Sequence, residues 1–255
     1  MEHKKNYVSL ATKIKELCGQ DSVYYLPNPG NWGDGLIRYG TLKFFRDINL
    51  EYKELTFKKK DWFFPCINGG TIIYGGGGAW CKYWRHSELY ARRISKRFKL
   101  IVLPSTYEHS FSIPNTTFFR RDQYESKQNM PHSFFSHDMA FYIGNEYLTE
   151  APGRGEGYFF RTDIESAING GVPEENNDIS SNGNEFSNVS NFFQEINKFS
   201  TVYTDRLHVA IAALLLKKET HLYAGKYFKN KAVFMSSIKS YFNNAYFHEN
   251  NYLKF

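Results

Sequence analysis

Between residues 23 and 103 the sequence alternates short apolar runs with longer amphipathic stretches, and this alternation constrains the fold more than any other feature. It is typical of βαβ units, in which successive strands lie parallel in one sheet and helices cover the faces of that sheet. Strands are predicted at residues 23–26, 52–55, 71–74 and 100–103. Helices are predicted at residues 35–45 and 84–98. The predicted fold class is therefore α/β.

A second unit is predicted after the turn-rich stretch 150–157, with strands at residues 158–160, 202–203 and 222–224. This gives an N-terminal domain over residues 1–150 and a smaller domain over residues 151–255. The smaller domain ends in a tail, residues 233–255, that is predicted to begin as a helix. Residues 173–191 are rich in Asn, Ser, Glu and Gly, and a segment with so little apolar surface is predicted to be a surface loop.

Composition excludes several classes of protein. Of the 255 residues, 42% are hydrophobic and 23% are charged, which is incompatible with a disordered chain. The longest aliphatic run covers residues 209–216, whereas a membrane-spanning helix needs about 20 apolar residues. The N-terminus has no apolar segment before a small-residue cleavage site, so a cytoplasmic location is expected.

Charge and cysteine content restrict the partners. The net charge of +6 favours an anionic partner. Charge alone does not distinguish between nucleic acid, a lipid surface and a phosphorylated metabolite. Because the basic residues are spread along the chain, a small anion fits best. Cys18, Cys66 and Cys81 are scattered and form no CxxC pair, and the histidines lack ligand spacing. Neither a disulfide framework nor a metal site is therefore predicted.

Residues 204–214 carry the most specific chemistry. Thr204 is predicted to cap a helix with an apolar stripe, and this places Arg206 and His208 at the helix start, where free N–H groups favour an anion. Asp205 and His208 are three positions apart, so the carboxylate could orient the imidazole. The same pattern also fits a surface arginine and a core histidine, and the spacing leaves both interpretations open.

Two other segments suggest binding groups. The turn at residues 30–34 has glycines that allow close approach of a ligand and offers the polar side chains Asn31 and Asp34, although it matches neither GxGxxG nor a P-loop. A turn that opens a helix without any ligand is the alternative. Arg161 follows a predicted strand, and its planar guanidinium suits carboxylate or phosphate. Its alternative is a salt bridge with Asp163 or Glu165.

Taken in order, these segments resemble the polysaccharide pyruvyl transferase family. The segments that carry the resemblance are residues 30–34, 74–78, 102–104, 121–126, 137–141, 158–163 and 204–208. The resemblance implies a GT-B-like fold of two Rossmann-like units whose parallel sheets face a central cleft. It also implies transfer of the pyruvyl group of phosphoenolpyruvate onto two hydroxyls of a sugar. The product would be a cyclic ketal on a capsule, exopolysaccharide or cell-wall glycan, with release of phosphate.

The resemblance also assigns roles to residues on the donor side. Arg161, Arg206 and Lys229 would bind the anionic donor, with Lys226 and Lys231 as alternatives to Lys229. His208 would catalyse proton transfer, and Asp205 would orient it. Phosphoenolpyruvate would be a co-substrate, and no metal or redox cofactor is implied.

The acceptor sugar is expected against the N-terminal domain. Asn31 and Asp34 would hydrogen-bond it, and Trp32 or Trp80 would provide an apolar platform. A lipid-linked acceptor would bring the protein into peripheral contact with the inner face of the membrane, and no nucleic acid is expected as a partner.

Two other functions remain open at the level of sequence. One is a GT-B-type glycosyltransferase that uses a sugar nucleotide, which retention of an ultraviolet-absorbing nucleotide on purification would favour. The other is a basic glycan- or nucleic-acid-binding protein, which steeply salt-dependent binding to an oligonucleotide would favour.

Overall fold

The structure, a computed structural model, describes residues 2–56, 69–149, 153–168 and 171–250. Cys66 lies outside these ranges. The chain forms two compact units. Unit 1 comprises Met1–Pro29 and Thr41–Met139, and unit 2 comprises Gly30–Gly40 and Ala140–Phe255. The predicted division at residue 150 assigned Gly30–Gly40 to the first domain, whereas these residues pack with unit 2.

The first part of the chain contains seven strands and four helices among the residues described. In chain order they are α1 (Glu2–Cys18), β1 (Val23–Leu26), α2 (Trp32–Asp47), β2 (Lys53–Glu54), β3 (Thr71–Tyr74), β4 (Gly77–Trp80), α3 (His86–Ile94), β5 (Lys99–Tyr107), β6 (Thr116–Arg120), α4 (Glu125–Asn129) and β7 (Phe134–Phe135). The strands pair in the order β2-β1-β3-β5-β6-β7, and β4 pairs with β5. Every pairing is parallel. The α/β prediction is confirmed for this unit.

The glycine run after β3, residues 75–78, contains the start of β4. A Cβ atom at Gly75 would lie 2.5 Å from the backbone nitrogen of Asn28, and one at Gly76 would lie 2.3 Å from the carbonyl oxygen of Pro104. Glycine is needed here because neighbouring backbones approach too closely for a side chain.

Unit 2 has a second, four-stranded parallel sheet. Its elements are β8 (Glu156–Tyr158), α5 (Val189–Asn197), β9 (Thr201–Thr204), α6 (Leu207–Leu215), β10 (Glu219–Tyr223), α7 (Lys229–Val233) and β11 (Ala245–His248). The strand order is β11-β10-β9-β8. All residues of α6 except His208 are buried, so this helix is enclosed on nearly every side instead of burying a single stripe. Two parallel sheets are consistent with two Rossmann-like units, while the GT-B arrangement stays a prediction.

One local prediction in unit 2 is wrong. Residues 173–191 are not simply a surface loop, because they include the 3₁₀ helix Ile179–Asn182 and the start of α5. Ile179 is buried, and the side chain of Asn188 caps α5 by accepting a hydrogen bond from the amide of Ser190 at 3.0 Å. The tail begins as a helix, as predicted, with the last residue of α7 and the π-helical turn Phe234–Ile238. It then adds the strand β11, for which no prediction was made.

Over the described ranges, no helix is long and apolar enough to cross a membrane. Cys18 and Cys81 are buried free thiols. Burial raises the pKa of the Cys18 thiol to about 11, which keeps it in the protonated form at neutral pH.

Candidate functional site

The carboxyl ends of β8 and β9 are joined by hydrogen bonds that place Arg161 and Arg206 next to them. The backbone amide of Arg161 donates to Oδ1 of Asp205 at 2.8 Å. The hydroxyl of Thr204 donates to the carbonyl of Phe159 at 2.7 Å and accepts from the amide of Arg206 at 2.9 Å. Thr204 is therefore not the N-cap of α6, which begins at Leu207 with Arg206 as its N-cap residue.

Arg206 is held by two carboxylates. Its Nε and Nη2 atoms donate to the two carboxylate oxygens of Asp178 at 2.8 and 2.6 Å. Its Nη1 atom lies 3.1 Å from Oδ2 of Asp163. Bidentate pairs of this kind are among the strongest and most directional contacts that a guanidinium makes.

Arg161 is held in the same way. Its Nε and Nη2 atoms donate to the two oxygens of Asp163 at 2.8 and 2.9 Å, and its Nη1 atom donates to Glu165 at 2.6 Å. The salt bridges that the sequence offered as an alternative for Arg161 are thus present, with Asp163 and with Glu165.

Lys229 completes a chain of alternating charges, because its Nζ atom donates to the same Glu165 oxygen at 2.7 Å. We call this arrangement the ion-pair chain; in order it consists of Asp178, Arg206, Asp163, Arg161, Glu165 and Lys229. The two alternative lysines differ. Lys226 donates to the carbonyl of Ile164 at 2.8 Å, and Lys231 pairs with Glu249 at 2.6 Å. Of the three, Lys229 belongs to the ion-pair chain.

Asp163 is the accessible member of the ion-pair chain. It is 33% exposed, whereas Arg161 and Arg206 are 5% and 7% exposed. Burial alone would raise the pKa of Asp163, but hydrogen bonds from Arg161 and the charges of both arginines outweigh it and hold that pKa below its usual value. The carboxylate is therefore ionised at neutral pH and bridges the two guanidinium groups.

Asp205 has a different environment from the other carboxylates. Burial raises its pKa to about 6, although the backbone hydrogen bond from Arg161 and the charges of Arg161 and Arg206 act in the opposite direction. Its Oδ1 atom accepts the amide of Arg161, and its Oδ2 atom has no hydrogen-bond partner among the described residues. The hydrogen bonds of Asp205 thus fix the junction of β8 and β9, and its orienting role toward His208 stays a prediction.

His208 lies against the first turn of α2. A Cβ atom built on Gly33 would be 2.6 Å from Nδ1 of His208 and 3.1 Å from its Cβ atom. The imidazole therefore occupies the space that any other residue at position 33 would fill. The segments around residues 30–34 and 204–208, far apart in the sequence, meet here within unit 2.

Asn31 and Asp34 cap α2. Oδ1 of Asn31 accepts the amide of Gly33 at 2.8 Å, and Oδ2 of Asp34 accepts the amide of Asn31 at 2.9 Å. The contact from Asp34 to the amide of Asn31 is that of a capping box, while the Asn31 side chain accepts from the second helical residue, and both satisfy backbone donors at the helix start. Asn31 and Asp34, which were predicted to bind the acceptor, therefore accept hydrogen bonds at the start of α2, the helix that packs against His208.

The two predicted tryptophan platforms are both buried. Trp32 packs edge-on against Phe192, with ring centroids 5.5 Å apart, and a Cβ atom on Gly183 would lie 2.6 Å from its indole. Trp80 is 2% exposed and is surrounded by aromatic rings of unit 1. With so little exposed surface, neither indole can serve as the main platform for a sugar, although Trp80 also lines a small pocket of unit 1.

Comparison with known families identifies the chain. The family model described as polysaccharide pyruvyl transferase matches residues 31–227, which is more than half of the sequence. The chain belongs to the polysaccharide pyruvyl transferase family. The resemblance inferred from the motifs is confirmed, and the family is one of transferases.

One solved structure extends the comparison beyond the matched region. It is the crystal structure of a functionally uncharacterised protein from Klebsiella pneumoniae subsp. pneumoniae, which is 25% identical, with a TM-score of 0.76 over 96% of this chain and 99% of that one. A comparison with curated proteins finds no match.

Sequence reasoning missed two residues that shape this candidate site. Asp178 lies in the segment predicted as a loop, and its pairing with Arg206 has no local signal. Asn230 donates through Nδ2 to the carbonyls of Asp205 and Tyr223 at 2.7 and 2.8 Å, which ties the start of α7 to the ends of β9 and β10. For Asn230, the available sequence signal is its position directly after Lys229.

Proposed function

We propose that this protein is a phosphoenolpyruvate-dependent ketal-pyruvyl transferase acting on a sugar, with its donor site in unit 2. The observation that carries the proposal is the gathering of Arg161, Arg206 and Lys229 in one cluster at the strand ends that also support His208. Guanidinium groups suit a donor with both a carboxylate and a phosphate. Membership of the family supports the same reaction class.

The ion-pair chain shapes how such a donor would bind. Its three basic and three acidic side chains balance in charge, so a dianionic donor does not meet an uncompensated positive pocket. Asp163 is the exposed carboxylate and contacts both arginines. We infer that a carboxylate or phosphate of the donor takes the place of Asp163, and that Asp178 and Glu165 continue to hold the guanidinium planes in position.

The chemistry that follows needs one proton carrier and anion contacts. A proton is added to C3 of the enol phosphate, a sugar hydroxyl attacks C2 and loses its proton, phosphate leaves, and a second hydroxyl closes the ketal with loss of its own proton. Imidazole groups exchange protons near neutral pH, which suits His208 to the proton transfers. Arg161 and Arg206 would stabilise the departing phosphate.

The finer features that accompany this function are part of the proposal. They are a GT-B-like arrangement of the two units, a role in capsule, exopolysaccharide or cell-wall glycan synthesis, and a cytoplasmic location. Phosphoenolpyruvate would act as co-substrate without a further cofactor.

Thermal unfolding with phosphoenolpyruvate tests the donor assignment. At a hundredfold excess over the dissociation constant the ligand should stabilise the fold by about 2.7 kcal/mol, and pyruvate should do much less. Arg206→Lys should weaken the response, because an ammonium group cannot reproduce a bidentate contact. Arg154→Lys is the matched control, since Arg154 is an exposed arginine of the same unit. Equal responses to pyruvate and phosphoenolpyruvate would refute the assignment.

Turnover is tested by phosphorus NMR of phosphoenolpyruvate incubated with the protein and candidate sugars linked to nucleotide or lipid. The expected result is release of inorganic phosphate that depends on the sugar, together with a sugar product that carries one pyruvyl ketal. Transfer of a sugar from a nucleotide in the same mixture would instead establish the glycosyltransferase alternative.

A further inference from the structure

Unit 1 contains a pocket that the donor site does not use. Its volume is about 220 Å³, and it opens at the carboxyl ends of β4 and β5. Lys82, Trp84 and Arg85 line it from the turn after β4, and His109 and Phe111 line it from the segment after β5. Ligands of parallel α/β sheets bind at the carboxyl ends of the strands, so the position is that of a binding site.

The pocket offers aromatic surface. Trp84 is 39% exposed, unlike the two buried tryptophans that the sequence suggested as platforms. The rings of His109 and Phe111 lie 4.3 Å apart and form another wall. An exposed indole presents an apolar face to the C–H groups of a sugar ring. The volume lies below the roughly 300–1,000 Å³ of pockets for drug-sized ligands, which suits a single sugar ring.

Arg85 gives the pocket an uncompensated positive charge. The other charged groups there are paired, because Lys82 lies 3.5 Å from Glu108 and Glu88 lies 2.8 Å from Arg92. Within the described ranges, the exposed guanidinium of Arg85 makes no hydrogen bond or ion pair. A guanidinium beside an aromatic face suits a ligand that combines a ring with a phosphate.

We propose that this pocket binds the acceptor sugar, with the sugar ring against Trp84 and a phosphate or diphosphate of the acceptor at Arg85. The inference rests on the proposed function, because it locates the acceptor side of that reaction. It moves the main aromatic platform from Trp32 and Trp80 to the more exposed Trp84, while Trp80, which is 2% exposed, also lines the pocket. The phosphate would come from a nucleotide or from a lipid diphosphate, since both present the same group next to the sugar.

Calorimetric titration with a panel of sugar 1-phosphates tests this inference. The panel contains the 1-phosphates of glucose, galactose and N-acetylglucosamine, and methyl glycosides of the same sugars and inorganic phosphate are the comparison ligands. For the sugar phosphate that binds best, Arg85→Gln should weaken binding about tenfold or more, because a charge-assisted contact is lost. Arg154→Gln, an exposed arginine in unit 2, is the matched control and should bind normally.

The ring contact is tested by two substitutions at Trp84. Trp84→Phe keeps an aromatic face and should retain most of the binding, whereas Trp84→Leu should weaken both sugar phosphates and methyl glycosides. A uridine diphosphate sugar is then compared with a polyprenyl diphosphate sugar. The ligand that binds more tightly shows whether the acceptor phosphate belongs to a nucleotide or to a lipid.

Three results would overturn the inference. They are binding of inorganic phosphate as tight as that of every sugar phosphate, equal weakening by Arg85→Gln and Arg154→Gln, and absence of binding by the whole panel. The same variants are unfolded thermally with phosphoenolpyruvate. If phosphoenolpyruvate fails to stabilise the wild type while Arg85→Gln still loses sugar phosphate binding, the donor proposal fails and the pocket assignment stands.

Discussion

Replacing Gly33 by alanine tests whether the start of α2 positions His208. An alanine normally stabilises a helix by about 0.5–1 kcal/mol relative to glycine. Here the added Cβ atom would lie 2.6 Å from Nδ1 of the imidazole, which must retreat by about 1 Å to reach ordinary contact distance. Overpacking of this kind costs about 1–3 kcal/mol, so after the helix gain is subtracted the net loss of stability should be between about 0 and about 2.5 kcal/mol.

The catalytic effect of Gly33→Ala should exceed its effect on stability. Misplacement of a catalytic group by 1 Å can lower the rate about 10²-fold, so kcat should fall by that order while phosphoenolpyruvate still binds. Urea denaturation and steady-state kinetics measure the two effects. Gly225→Ala is the control, because its Cβ atom would be 3.8 Å from Nδ2 of Asn230, an ordinary contact.

A double-mutant cycle decides whether the contact with His208 is the cause. In a His208→Ala background the ring is absent, so Gly33→Ala should cost less stability than in the wild type. The reasoning is refuted if the cost is the same in both backgrounds, or if Gly33→Ala is as stable and as active as Gly225→Ala.

Three further predictions concern charged and proton-carrying groups. The folded-state pKa of Asp205, about 6, exceeds its unfolded value of 3.8, so the folded state retains a proton that the unfolded chain releases. The contribution of Asp205 to the free energy of unfolding therefore falls as pH rises between about 4 and 6. Urea denaturation should show that the wild type loses on the order of 2 kcal/mol of stability across that interval relative to Asp205→Asn. Asp163→Asn should raise the affinity for phosphoenolpyruvate severalfold in calorimetry, because it removes the carboxylate that competes with the donor for Arg161 and Arg206. Unchanged or weaker binding would contradict the proposal that the donor takes the place of Asp163. His208→Asn should fold and bind donor but lose about 10² to 10⁴ in turnover, and near-normal turnover would place the proton carrier elsewhere.

Local sequence patterns determined much of the architecture. The bounds of β1 and β3 were predicted correctly, because short apolar runs between helical stretches favour buried parallel strands. The family could be identified as well, since its motifs lie within short segments whose order is readable. Positions such as Arg161 and His208 could be named for the same reason.

Long-range packing decided what those residues contact. Nothing near residue 178 indicates that Asp178 pairs with Arg206, and nothing near residue 33 indicates that its glycine makes room for His208. The exposure of a side chain was equally undetermined by the sequence: of two tryptophans near the end of β4 that line the same pocket, Trp80 is 2% exposed and Trp84 is 39% exposed. Each of these outcomes depends on residues that are distant in the sequence, and only the folded chain brings them within contact distance.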